Sequence, residues 1–286
     1  MDKWLDYTDT IDDRDHTVAG TLKVLPGVLS PQLGNERDLL VYIPPSYGRS
    51  DDSYPVLYFQ DGQNLFDQET SFAGEWQVDE TMERMSREGV EAIIVGIPHA
   101  EEDRLIEYNP FRNSKNGLGR GRDYLDFILQ TVKPLIDANF RTLAGPRFTG
   151  IVGSSMGGLI SLYAFFHQRQ AFGFVGAMSP SVRYAKCQIF DYVLQAPFVG
   201  GRIYLDVGTR EHSQKGIWLA NVAYSRRYYG SVRRMHRILV KKGYRPRKEI
   251  LYVEEKWARH EEDAWARRLP GLIRFFLRPF YSSSNP

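Results

Sequence analysis

The chain has 286 residues, 42% hydrophobic and 25% charged, with a formal net charge of +2. This is the composition of a globular protein large enough to bury a full core, and no run of about 18 apolar residues offers a transmembrane helix. A single cysteine, Cys187, excludes an intrachain disulfide and a Cys-based metal site.

Met1 to Asp15 carries six aspartates and no apolar stretch, so it does not read as a signal peptide, and the cytoplasm is the expected compartment. His16–Leu25 and Arg37–Ile43 read as two antiparallel strands parted by Pro26 and the Ser30–Asn35 turn segment. Val56–Phe59 is continuously apolar, as expected of a strand buried on both faces, and ends in Asp61-Gly62-Gln63-Asn64. A helix is expected over Trp76–Ser86 and a buried strand over Ala92–Ile97. The loop Pro98–Arg120 follows, then a helix over Tyr124–Ala138. Further strands are expected at Phe148–Val152, Phe174–Met178, Arg202–Val207 and Glu249–Val253. Helices are expected at Leu159–Phe166, Gln188–Leu194, Trp218–Lys242 and Asp263–Leu277.

Buried strands alternating with helices predict an α/β protein. Its central sheet is mostly parallel, opened by an N-terminal antiparallel hairpin and covered by helices on both faces. With no repeat and no Gly/Ser-rich linker, residues 1–286 are expected to form one domain, with 1–15 an acidic leading segment. From Arg226 to Lys248 there are ten Lys/Arg and no Asp/Glu. That stretch reads as the solvated face of a long helix, with steering of an anionic ligand as the alternative. Nothing matches a nucleic-acid-binding motif, and no membrane contact is expected.

In such sheets ligands bind at the carboxyl ends of the strands, where the polar and glycine-rich segments fall here. The segment Gly153-Ser154-Ser155-Met156-Gly157-Gly158 lies between a predicted strand and a predicted helix. Strand, G-x-S-x-G and helix together make a nucleophile elbow. The turn is sharp enough that side chains at Gly153 and Gly157 would collide. It lifts the Ser155 hydroxyl above the sheet edge and aims the Met156 N–H at whatever the serine attacks. A serine needs a base, and histidine titrates near neutrality. His260 lies between the last strand and the last helix, where a Ser–acid–His order puts the base. His99 and His212 fit a pocket wall or rim. His16, His167 and His236 fit no catalytic role.

The acid should follow the Arg202–Val207 strand, where Asp206 and Glu211 compete. Asp206 is held within the strand and so points above or below the sheet. Glu211 lies past Gly208, which can turn the chain back over the edge, so Glu211 is the choice. A second oxyanion donor is expected from Gln63, in the turn after Val56–Phe59.

These pieces resemble the putative esterase family of α/β-hydrolases, which includes enterochelin, feruloyl and acetyl-xylan esterases and S-formylglutathione hydrolases. The resemblance rests on Tyr54–Asn64, Gly96-Ile97-Pro98, Arg104–Tyr108, Gly153–Gly158, Tyr204–Glu211, and His260 before a helix containing Trp265. It implies an α/β-hydrolase fold and Ser–acid–His hydrolysis of a carboxylic ester through an acyl-serine, with no metal or organic cofactor. The family's acid follows a Gly-Thr-x segment, which also implies Glu211. The expected partner is a small ester, aromatic or anionic. Asn64, Trp76, Arg104 and Tyr108 are the expected substrate-binding residues. Arg104 could instead pair with Glu107 to pin its loop. Phe111, Tyr184, Trp218 and Trp257 are further candidates for aromatic walls. An acyltransferase with the same triad, or a non-catalytic binder on the same scaffold, are the rival readings.

Overall fold

The computed structural model describes residues 3–12, 14–72, 74–113, 117–212 and 218–281. The chain begins with antiparallel strands β1 (Leu5–Asp6), β2 (Thr21–Ser30) and β3 (Asn35–Ile43). Strand β4 (Val56–Gln60), helix α1 (Val78–Ser86) and strand β5 (Ile93–Ile97) form the first crossover. The expected loop 98–120 contains a short helix α2 (Arg104–Glu107) and a small hairpin, β6 (Arg112–Asn113) and β7 (Gly117–Leu118). Helices α3 (Gly121–Phe127) and α4 (Lys133–Asn139) are joined by a π-helical turn, Ile128–Val132.

The elbow unit is β8 (Thr149–Ser154) and α5 (Ser155–His167). Then come β9 (Phe174–Met178), α6 (Gln188–Gln195) and β10 (Arg202–Gly208). Helix α7 (Trp218–Lys242), strand β11 (Ile250–Glu255) and helix α8 (Glu262–Tyr281) complete the chain.

Among the described residues, nine strands join in the order β1-β2-β3-β5-β4-β8-β9-β10-β11. The first three are antiparallel, β3 pairs antiparallel with β5, and every later pairing is parallel. Alternation along β4 divides the core. Val56 and Tyr58 pack in the layer with α3, α4, α5, α6 and α7, and Leu57 and Phe59 pack in the layer with α1 and α8. Helices on both faces explain why β4, β5, β8 and β9 are buried along their whole length.

Several boundaries depart from the sequence expectations, two of them with a local cause in the backbone. His16–Gly20 is not strand, and β2 runs on to Ser30 through a register shift between Leu25 and Val28. The bulge accommodates Pro26, which has no N–H for the ladder, and Gly27 at φ +64°. Helix α1 begins at Val78 rather than Trp76, because Gln77 at φ +53° breaks the helical path before it.

Candidate active site

Ser155 sits where β8 turns into α5, at φ +53°. That left-handed conformation is uncommon for a non-glycine residue and marks the sharp turn of an elbow. A Cβ on Gly153 would lie 2.6 Å from the backbone carbon of Gly157, and one on Gly157 would lie 2.9 Å from the Gln60 Cβ. The two glycines let β8, α5 and the end of β4 meet at one point. Met156 follows Ser155 in the first turn of α5, where the N–H groups have no acceptor within the helix.

Glu211 and His260, 49 residues apart in the chain, come together at the ends of β10 and β11. Their carboxylate oxygen Oε2 and ring nitrogen Nδ1 are 2.5 Å apart. The Glu211 side chain is fully buried, while that of His260 keeps 26% exposure. The other Glu211 oxygen, Oε1, accepts from the Gly208 N–H at 2.5 Å and from Ser179 Oγ at 2.7 Å. Facing a carboxylate, Nδ1 carries the ring proton, which leaves Nε2 as the acceptor. Tyr228 and Trp265 hold the imidazole edge-on, with ring centroids 5.4 and 5.1 Å away.

Gly208 does not work as expected. Its φ is not positive. A Cβ there would lie 2.3 Å from the Ala258 carbonyl oxygen, so glycine is needed to let the end of β10 pass close to the segment leading to His260.

Asp206 points elsewhere. It is fully buried, accepting from the Ser179 N–H at 2.9 Å and from Arg268 Nε at 2.9 Å. Burial pushes its carboxyl up, and the Arg268 guanidinium opposes that rise. Arg268 also donates to Glu255 and to Ser179 Oγ. Asp206 thus helps fix Ser179, which in turn donates to Glu211.

The Ser155 hydroxyl lies 3.2 Å from Ser181 Oγ, and Ser181 Oγ lies 3.5 Å from the Tyr228 hydroxyl. Ser181 also donates its N–H to the Ser155 carbonyl. Nothing in the sequence marked Ser179, Ser181 or Tyr228. The first two follow β9 at the same sheet edge, which was the one available signal.

Asp61-Gly62-Gln63-Asn64 folds as a tight turn over β5. A Cβ on Gly62 would lie 2.6 Å from the Gly96 backbone. Gln63 is partly exposed, and its Oε1 accepts from the His99 N–H at 3.3 Å. Burial pushes the His99 imidazole down.

Several expected substrate-binding residues occupy other roles. Asn64 is buried, its Oδ1 taken by the Phe72 N–H at 3.0 Å. Trp76 is in the core between Phe59 and Trp265. Tyr108 is fully buried, with its hydroxyl accepting from the Asp61 N–H. Trp76 and Tyr108 thus contribute to the core.

Arg104 forms a two-point pair with Asp61, at 2.6 and 2.8 Å, and not with Glu107. Glu107 is held by Arg37 and Asn35 instead. Asp61 also approaches the elbow, since its Oδ2 would lie 3.3 Å from a Cβ on Gly157. Phe111 packs against Tyr163 and Tyr192, and Tyr184 is partly buried against the core. Trp257 is 68% exposed beneath the Arg210 guanidinium, and the Trp218 side chain lies outside the described residues. In the basic stretch, Arg233 pairs with Glu254, Arg245 with Glu249, and Arg234 lies over the Phe190 ring.

A cavity of about 500 Å³ lined by Arg147, Arg169, Arg202 and Lys248 lies at the opposite ends of the strands. None of Ser155, Glu211 and His260 lines it.

Residues 30–276 match the family described as Putative esterase. The chain belongs to this family. An uncharacterized protein of Bacillus subtilis (strain 168), YbbA, is 27% identical over 246 residues, 83% of this chain and 92% of that one. A siderophore triacetylfusarinine C esterase of Aspergillus fumigatus is 30% identical over 136 residues, 45% of this chain and 44% of that one. The crystal structure of the BES protein from Bacillus cereus superposes with a TM-score of 0.70 at 20% identity. That superposition covers 93% of this chain and 98% of the other, and it shows a shared α/β-hydrolase fold. As a member of the family, the chain is an ester hydrolase.

Proposed function

We propose that the protein is a serine carboxylesterase acting through an acyl-serine. The observation that carries this reading is the Glu211–His260 pair, held at the same sheet edge as a serine at φ +53°. Ser155 Oγ attacks the ester carbonyl as His260 Nε2 takes its proton, and Glu211 holds the Nδ1–H and the imidazolium that forms. The N–H groups of Met156 and Gln63 receive the oxyanion. The carbon–oxygen bond to the alcohol breaks, and His260 returns the proton to the departing oxygen. Water, deprotonated by the same imidazole, then cleaves the acyl-serine.

Ser155 Oγ now hydrogen-bonds Ser181, and a substrate would turn it toward His260. Such bonds commonly tighten only when substrate is bound. The exposed Trp257 under the Arg210 guanidinium favours an ester with an anionic or aromatic portion, in keeping with a relative named as a siderophore esterase. The single cysteine favours the cytoplasm, and among the described residues no helix is long and apolar enough to cross a membrane.

The test is Ser155→Ala. It should lower kcat by on the order of 10⁶ with the fold intact. Labelling by a fluorophosphonate should be lost with it. More than a tenth of wild-type turnover in the variant would remove Ser155 from the mechanism. Feruloyl, acetylated-sugar, triscatechol-lactone and short p-nitrophenyl esters, compared by kcat/KM, would identify the acyl class.

A further inference from the structure

Away from the proposed active site, three carboxylates meet at the first turn of α1. One oxygen from each of Glu75, Asp79 and Glu80 lies within 4.8 Å of the others. Glu75 is 6% exposed and Asp79 is fully buried. Part of the set is already engaged. Glu75 Oε2 accepts from Thr17 Oγ1 at 3.0 Å, and Asp79 Oδ2 accepts from the Ala19 N–H at 2.6 Å. No N–H or hydroxyl donor among the described residues reaches the remaining oxygens, Glu75 Oε1 and Asp79 Oδ1, or Glu80 Oε2, and the Asp79 and Glu80 carboxyls lie within hydrogen-bonding reach of each other. Among the described residues, no Lys or Arg forms an ion pair with any of the three.

Buried carboxylates without a positive partner are costly, and an unpaired buried acceptor adds to that cost. The missing component is a positive charge that accepts several oxygens at once. An all-oxygen donor set suits calcium or magnesium, and not the softer metals that prefer nitrogen or sulfur. Oxygens on opposite sides of such an ion stand roughly 4–5 Å apart, which matches the cluster.

We propose that Glu75, Asp79 and Glu80 bind one hard divalent cation, calcium or magnesium. The ion binds residues 75–80 alone, and the chain before β2 is joined to them through Thr17 and Ala19, which donate to Glu75 and Asp79. Protein contacts already run along that seam. Tyr7 and His16 bond Asp67, Arg14 pairs with Glu69, and Thr17 accepts from the Gln68 N–H. The cation closes the end of this seam that lacks a counter-charge. It is independent of ester hydrolysis and requires none of the proposed catalytic residues.

The test uses the full chain, stripped with EDTA and dialysed, titrated calorimetrically with calcium chloride and separately with magnesium chloride. One ion should bind per chain. At a free concentration about a hundredfold above Kd, Tm should rise by roughly 5–10 °C. Whichever salt gives the lower Kd names the ion. Glu75→Gln and Asp79→Asn should each weaken binding at least about tenfold, the loss usual for a ligand or its support, and remove most of the Tm rise. Two variants are used so that misfolding of one leaves the other to decide.

The rival arrangement is a proton shared among the carboxyls. It predicts no heat and no Tm change with either salt up to about 10 mM, above the weakest calcium sites. It also predicts an Asp79→Asn protein at least as stable as wild type. Either result overturns the proposal, as does cation binding that survives both substitutions.

Discussion

Replacing Glu211 by Gln isolates what the carboxylate does. Three donors converge on its two oxygens: His260 Nδ1–H on Oε2, and the Gly208 N–H and Ser179 Oγ on Oε1. A glutamine offers one oxygen and one NH2 in the same volume. Whichever way the amide is turned, an N–H meets a donor. If the amide oxygen keeps Gly208 and Ser179, the NH2 faces the imidazole. The ring then carries its proton on Nε2 and cannot accept one from Ser155. A wrong tautomer of this kind costs up to about 10⁴ in kcat, or about 5.4 kcal/mol of barrier at ~1.36 per tenfold. The fold loses one buried acceptor, about 1–3 kcal/mol, which lowers Tm by roughly 2–12 °C.

Asp206→Asn should show the opposite balance. It removes the charge facing buried Arg268, which costs about 3–5 kcal/mol and roughly 6–20 °C in Tm. It should leave kcat within about tenfold, because Asp206 reaches the imidazole only through Ser179. The assay is kcat on p-nitrophenyl acetate at pH 8, with Tm by differential scanning fluorimetry. If Asp206→Asn loses more than about 10³ in kcat at near-native Tm while Glu211→Gln stays close to wild type, the acid is Asp206 and the reasoning fails.

Four further expectations are open to measurement. His260→Ala should abolish ester hydrolysis and His99→Ala should leave most of it, and the reverse outcome would move the base to His99. Gly208→Ala should cost about 1–3 kcal/mol of stability and lower kcat as well, since the new Cβ pushes the Ala258 carbonyl beside the catalytic loop; a variant with native Tm and rate would show that the backbone there yields freely. Reversing Arg226 and Arg227 to Glu should leave turnover of a neutral ester within about twofold; a salt-sensitive loss confined to anionic esters would instead assign the basic helix a steering role.

The fourth concerns the His16–Asp67 contact. Its hydrogen bond to Asp67 raises the His16 pKa, and the same contact helps hold the Asp67 carboxyl below its usual range despite burial. The His16 contribution is present at low pH and fades as pH rises through the raised value. The Asp67 contribution is present above the usual Asp range and fades as pH falls through the lowered value. The Tm gap between wild type and His16→Gln should therefore be widest near pH 5–6 and close on both sides. A gap that is constant from pH 3 to 9 would show that the contact does not titrate.

The parts legible in the sequence were those governed by local rules. The unbroken apolar run of β4 announced a strand covered on both faces, and the Gly153 and Gly157 spacing announced a turn too tight for side chains. Placing polar residues at strand ends put Glu211 and His260 at the sheet edge, where their side chains meet. The parts that were not legible depend on contacts between distant residues. Arg104 meets Asp61 and not the nearby Glu107, because Arg37 on β3 already holds Glu107. Trp76 resembled a pocket wall, but its ring closes the core between β4 and α8. Aromatic side chains look alike in sequence whichever way they point. The role of Gly208 was also hidden, since the reason for it lies on a segment some fifty residues later.

The arrangement of the four strand ends has a consequence for the chain as it is made. Gln63, Ser155 and Glu211 follow β4, β8 and β10, but His260 follows β11 and is held in place by Trp265 on α8. Translation proceeds in one direction, so a ribosome-bound chain can display the elbow serine long before it owns a base. If His260 is that base, the nascent protein is chemically silent until α8 has emerged and docked. Onset of ester cleavage in a synchronised cell-free synthesis would then time the docking of that helix and act as a clock for completion of the sheet.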